Sequence, residues 1–202
     1  MRPLLDQARG LLAALLCSAV VAACSPSQPA PAKFADITFQ QFPKYRFAVG
    51  KIEIVREYVP PLKPPNVEHL FPVTPMQMAE RWAQDRLVAA GGTGELRYVI
   101  KRASAIESEL PRTTGIRGAF TKDQAQRYDA VVEVEIEIRN ERGYRDGVAA
   151  ARWDVTQSVA EDITVAQRER VWFQMTEALG RGLNQELDSR IQASLTGFLV
   201  NP

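Results

Sequence analysis

The chain has 202 residues, of which 46% are apolar and 24% are charged, and this composition excludes an intrinsically disordered protein. Lys and Arg number 25 against 24 Asp and Glu, with no run of five like charges, so nothing predicts a nucleic-acid-binding surface. The two cysteines, Cys17 and Cys24, both lie near the N-terminus and cannot cross-link a domain formed by the rest of the chain.

The first 24 residues have the pattern of a secretory signal that ends in an acylated cysteine. Two arginines precede the apolar run Leu11 to Ala23, whose 13 residues are fewer than the ~20 that a membrane span needs. The run ends in Val21-Ala22-Ala23-Cys24, which resembles the lipobox of bacterial lipoproteins. The small residues let a peptidase reach the backbone, and the cysteine receives a diacylglycerol. The alternative is an ordinary signal peptide that happens to contain a cysteine.

We therefore expect residues 1–23 to be removed and Cys24 to anchor the mature chain in a membrane through its lipid. Removal takes away two basic residues and one acidic residue, which leaves 23 Lys and Arg against 23 Asp and Glu. Residues 24–33 form the lipidated cysteine and a Pro-rich linker, of roughly 25–30 Å if extended. Residue 25 is a serine, and the resemblance to lipoproteins then implies the periplasmic face of the outer membrane.

Residues 34–202 are predicted to form one domain. Tyr45 to Tyr58 reads as a strand whose inward parity switches at Gly50, which indicates a β-bulge. Residues 59–75 contain six prolines and form an extended loop. Its apolar residues either pack over the core or form a docking surface, and they are Leu62, Val67, Leu70, Phe71 and Val73.

A capping box at Thr74 and Gln77 opens a helix, which Gly91-Gly92 is predicted to end. Alternation then predicts strands over residues 94–106, 127–140 and 148–160. A second capping box opens a helix over residues 162–195, with a bend at Gly180 and Gly182. The order β-α-β-β-β-α predicts an α+β fold, with a mainly antiparallel four-stranded sheet and two helices on one face.

Little in the sequence points to catalysis or to a metal. His69 is the one histidine, and adjacent residues of an extended segment point apart, so Glu68 is poorly placed to pair with it. One imidazole and no free thiol cannot build a typical zinc site. Trp82, Trp153 and Trp172 fall on inward faces, as core residues or as the wall of a ligand cavity. We expect no enzymatic activity and no cofactor beyond the lipid on Cys24.

Two segments are candidates for contact with a partner or a lipid. The connection between the second and third strands carries the cations Arg112, Arg117 and Lys122 around Phe120, although it is also consistent with a plain surface loop. Leu70 and Phe71 are the candidates in the proline-rich loop.

With this order of elements, residues 45–195 resemble two families of small envelope lipoproteins. The first is the LPS-assembly lipoprotein family, which this chain resembles in its lipobox, its short linker and its long last helix. The segment Ala166–Met175 looks like the start of that family's last helix. Members of that family support the outer-membrane LPS translocon barrel. The other is the ABC-transport auxiliary lipoprotein family, whose members assist lipid trafficking, and a groove beneath the long helix would then hold an acyl chain. The resemblance implies a non-enzymatic binding or assembly protein whose envelope partner is a β-barrel or a transporter.

Overall fold

In a computed structural model, which describes residues 34–111 and 124–200, the chain forms six strands and two helices. The strands are β1 (Tyr45–Phe47), β2 (Lys51–Arg56), β3 (Leu87–Ala89), β4 (Glu95–Glu109), β5 (Gln124–Arg139) and β6 (Arg145–Ala160). The helices are α1 (Pro75–Arg86) and α2 (Val165–Ser194), and two short 3-10 turns cover Glu68–Leu70 and Thr196–Phe198.

The predicted α+β class is confirmed, but the sheet arrangement differs. A four-stranded sheet has the order β2-β4-β5-β6, in which β4, β5 and β6 are antiparallel and β2 runs parallel to β4. A second, parallel sheet of β1 and β3 was not predicted. The buried residues of both helices and of the sheet belong to a single core, so the helices cover one face of the sheet.

The predicted single strand over residues 45–58 is wrong, because the chain changes sheets in its middle. β1 pairs with β3, whereas β2 pairs with β4. Between them, the Ala48 N–H donates to the Phe198 carbonyl (2.9 Å), and the Gly50 N–H donates to the Gly94 carbonyl (3.1 Å). The parity switch at Gly50 therefore marks a crossing between two sheets and not a bulge.

The first helix ends earlier than predicted. It stops at Arg86, and the next three residues form β3, because β1 offers them a parallel partner. Tertiary pairing thus overrides the apolar stripe that continues through Leu87. The glycines that were expected to cap the helix form the turn into β4 instead. Gly94 has a positive φ of 79°, and a Cβ there would overlap the carbonyl oxygen of Arg139.

The long strands confirm the predicted alternation, with one shift. Val132, Val134, Ile136 and Ile138 of β5 are all buried. In β4, an irregularity between Ile100 and Arg102 changes which side chains face inward. Ala103 and Ala105 are therefore buried, and Ile106, which was predicted to face inward, is only half-buried. On the outer face Glu137 is buried by ion pairs with three arginines of the sheet.

Helix α2 runs unbroken for 30 residues. The glycines at which a bend was predicted provide space for neighbouring side chains. A Cβ at Gly180 would lie 3.1 Å from the Phe39 ring, and one at Gly182 would overlap the indole of Trp153. Trp153, predicted to be inward, lies on the helix side at the edge strand β6, but 38% of it is exposed. Neither described helix has the length and apolarity needed to cross a membrane.

Candidate functional site

The proline loop, which we define as residues 59–73, both packs on the core and exposes apolar side chains. Val67 and Phe71 are buried. Val59, Leu62 and Leu70 are 78%, 64% and 52% exposed. Packing over the core is therefore confirmed for Val67 and Phe71, whereas a docking surface formed by the exposed residues stays a hypothesis.

A buried carboxylate fixes this loop against the sheet. Glu68 is only 2% exposed. It accepts hydrogen bonds from the Tyr58 hydroxyl (2.7 Å), the Ala105 N–H (3.1 Å) and the Asn66 side-chain amide (3.4 Å). Burial, followed by the hydrogen bond to Glu68, raises the pKa of Tyr58, so its hydroxyl remains a neutral donor. The carboxylate thus ties the loop to β4.

Backbone bonds extend the same attachment. The Val67 N–H donates to the Ala105 carbonyl (2.9 Å), and the Glu107 N–H donates to the Pro65 carbonyl (2.8 Å). The loop therefore occupies the place beside β4 that β2 leaves free after Arg56. No sequence pattern identified Glu68, because a single acidic residue among prolines looks like an ordinary surface residue.

The candidate contact residues differ in their exposure, and several of them lie outside the described residues. Leu70 is exposed, whereas Phe71 stacks on the buried Trp172 with ring centroids 5.2 Å apart, so its ring contacts the core. Arg112, Arg117, Phe120 and Lys122 lie outside the described residues, as does Cys24. His69 is exposed, and its neighbour Glu68 is engaged elsewhere.

In the described part of the chain, the middle of the long helix packs on the sheet without leaving a groove for an acyl chain. The side chains of α2 that face the sheet along this middle part of the helix are fully buried in the core. These residues are Leu179, Leu183, Leu187 and Ile191. An open cavity of about 370 Å³ lies where the start of α2 meets the end of β6.

A second polar cluster, which the sequence did not indicate, joins α1, α2 and β1. Arg86 is 2% exposed and forms an ion pair with Asp188. The Tyr45 hydroxyl donates to the same carboxylate (2.8 Å). Asn184 donates to Asp188 (3.2 Å) and accepts from the Trp82 indole N–H (2.9 Å). Trp82 and Arg86 are four residues apart on α1, and Asn184 and Asp188 are four residues apart on α2. Sequence spacing could not show that these two pairs meet or that Tyr45 joins them.

Aromatic rings surround the Arg86 guanidinium. Its central carbon lies 4.9 Å from the ring centroid of Tyr45, 5.3 Å from that of Phe42 and 5.8 Å from that of Trp82. Burial, followed by the hydrogen bond to Asp188, raises the pKa of Tyr45 to about 12, so the phenol is neutral at physiological pH.

Among residues 34–111 and 124–200, no group of three or more His, Cys, Asp or Glu side chains is placed to hold a metal ion.

No protein-family model and no curated protein matches the chain. Solved structures that resemble it include rare lipoprotein B from Shewanella oneidensis, with a TM-score of 0.37 and 12% identity over 71% of this chain and 96% of that one. A minor lipoprotein from Acinetobacter baumannii has a TM-score of 0.39 and 8% identity over 75% and 96% of the two chains. A DUF330 protein from Xanthomonas campestris has a TM-score of 0.33 and 9% identity over 80% and 93%. At these TM-scores, the similarities do not establish a common fold.

Proposed function

We propose that this protein is a lipid-anchored lipoprotein of the bacterial envelope, which faces the periplasm from the outer membrane and acts by binding a partner rather than by catalysis. The observation that carries the proposal is Val21-Ala22-Ala23-Cys24, placed after a short apolar run and before a Pro-rich linker. The linker leads into Phe34, whose ring lies 4.9 Å from that of Phe173 on α2. The tether therefore joins a packed part of the domain.

The proline loop is the surface we propose for the partner. Its apolar side chains are exposed on a backbone that prolines and the Glu68 hydrogen bonds hold in place, so binding would cost little conformational entropy. An envelope protein suits this surface better than a bilayer does. A membrane-binding surface favours clustered cations and exposed aromatic rings, whereas the loop has the single lysine Lys63 and its one aromatic residue, Phe71, is buried.

The anchor is tested by fractionating cells that express the wild type or the Cys24→Ala variant. We expect the wild-type chain in the outer-membrane fraction and the variant outside it, with Cys17→Ala as the matched control that behaves like the wild type. Equal distribution of wild type and Cys24→Ala would contradict the anchor.

The partner surface is tested with a photo-crosslinking amino acid at position 62 or 70, in cells that carry the lipidated chain. A matched control places it at Tyr144, which is 68% exposed on the β5–β6 hairpin. We expect one adduct from the two loop positions, identified by mass spectrometry as an integral envelope protein and absent from the control. Adducts to lipid, or the same adducts from position 144, would overturn this assignment.

A further inference from the structure

A cavity of about 420 Å³ adjoins the Arg86 cluster, between β1, the end of α1 and the C-terminal part of α2. Its lining includes the apolar Pro43 and Leu199, the buried Arg86 and the carboxylate of Asp188. The volume lies within the range of about 300–1,000 Å³ typical of small-molecule sites. The cavity is separate from the proline loop, because no residue of the 59–73 segment lines it.

The charges around this cavity are unbalanced. Lys44 and Arg46 are exposed at its lining, and neither forms an ion pair within the described part of the chain. With Arg86 they make three cations against the single carboxylate of Asp188. Since the mature sequence has equal numbers of acidic and basic residues, this excess of two positive charges is a local property of the cavity.

Two hydrogen-bond donors of Arg86 also lack an acceptor. One terminal nitrogen, Nη2, is paired with Asp188, but Nε and Nη1 are buried without a hydrogen-bond partner. Buried donors normally find an acceptor, because leaving one unpaired costs free energy. The surrounding rings compensate part of the charge, and the one acceptor among them, the Tyr45 hydroxyl oxygen, serves a group that already donates to Asp188.

We propose that this cavity binds a small anionic molecule, in which a phosphate or carboxylate group is held by Arg86, Lys44 and Arg46 and a short apolar part lies against Pro43 and Leu199. Arginine suits such a group because its planar guanidinium offers several donors to the oxygens of an anion. The neutral Tyr45 hydroxyl keeps the Asp188 carboxylate engaged, so the carboxylate repels an incoming anion less. The site is independent of the lipid anchor and of the proline loop.

Calorimetric titration of the mature, lipidated protein in detergent tests the site, with hexyl phosphate and inorganic phosphate as the probes. We expect saturable, one-to-one binding of hexyl phosphate, and binding of inorganic phosphate about tenfold weaker or less. The double variant Lys44→Ala/Arg46→Ala should weaken hexyl phosphate binding about tenfold or more without a change in thermal stability, since both side chains are exposed and unpaired.

The matched control is Arg142→Ala/Arg170→Ala, which removes the same charge from exposed positions away from the cavity and from the proline loop. The control should bind as the wild type does. Equal loss in both double variants would show non-specific charge attraction and overturn the proposal, as would an absence of saturable binding by the wild type. Equal affinity for the two phosphates would overturn the apolar part of the site.

A further comparison distinguishes a lipid headgroup from a soluble anion as the natural source. The protein is reconstituted in phosphatidylcholine vesicles with or without phosphatidylglycerol and titrated with hexyl phosphate. If phosphatidylglycerol weakens the binding of hexyl phosphate, and Lys44→Ala/Arg46→Ala abolishes this effect of the lipid, the result supports the site with a headgroup as ligand. Unchanged affinity supports the same site with a soluble ligand.

Discussion

Removal of the Glu68 carboxylate should detach the proline loop from the sheet. In Glu68→Ala, the Tyr58 hydroxyl and the Ala105 N–H both lose their acceptor. A hydrogen bond to a charged group contributes about 1.5–3 kcal/mol, and part of this is returned because the carboxylate no longer has to be desolvated. We therefore expect the free energy of unfolding to fall by about 2–4 kcal/mol.

A conservative variant tests the same reasoning more finely. In Glu68→Gln, the side-chain carbonyl can accept from Ala105 and the amide can donate to the Tyr58 oxygen, so we expect a loss of only about 1–2 kcal/mol. His69→Ala is the matched control, because this neighbouring side chain is exposed, and it should change stability by less than about 0.5 kcal/mol.

Urea denaturation of the mature protein measures these differences, and hydrogen exchange of the Val67 and Glu107 amides reports the loop attachment directly, since both donate across it. In Glu68→Ala these two amides should exchange faster, by more than global destabilisation alone explains. The reasoning fails if Glu68→Ala is as stable as His69→Ala, or if both Glu68 variants lose the same free energy.

Three further outcomes follow from the structure. Gly94→Ala should lower the free energy of unfolding by about 2–5 kcal/mol in urea denaturation, because φ is positive at this position and the added Cβ would overlap the Arg139 carbonyl. Gly91→Ala is the control: its φ is also positive, but no atom lies within 4 Å of the added Cβ, so it should cost only about 1–2 kcal/mol. Equal losses in the two variants would refute the overlap. Burial raises the pKa of Asp85, but hydrogen bonds from Phe39, Thr38 and Gln40 outweigh it and hold this pKa below its usual value. The stabilisation by the ionised Asp85 is therefore complete above the ordinary pKa of about 4 and is lost as the pH falls through the folded-state pKa. Asp85→Asn should then reduce the slope of the stability–pH curve at acid pH. An unchanged slope would contradict this. Thr164→Ala removes the side chain that caps α2 and should cost about 0.5–2 kcal/mol by thermal denaturation, whereas no loss would mean that the cap is dispensable.

The sequence was most informative where one local pattern determines one element. The capping boxes at Thr74 and Thr164 are both present, since their hydrogen bonds join residues three apart. The alternation from Val132 to Ile138 predicted the buried face of β5, because a strand with one solvent face alternates whatever its partners are.

The predictions from sequence were wrong where a segment pairs with a distant part of the chain. Leu87 continues a helical stripe, yet it lies in β3 because β1 provides a partner more than 40 residues earlier in the sequence. The same two-strand sheet divides the predicted strand near Gly50. Spacing along the chain contains no information about such pairings, and it equally could not show that Arg86 meets Asp188 across 102 residues.

The account depends most on the cysteine at position 24, and mass spectrometry of the N-terminal peptide of the protein purified from membranes examines it directly. The account predicts a peptide that begins at Cys24 and carries a diacylglyceryl group on its sulfur. A chain that retains residues 1–23, or a Cys24 with a free thiol, would contradict it.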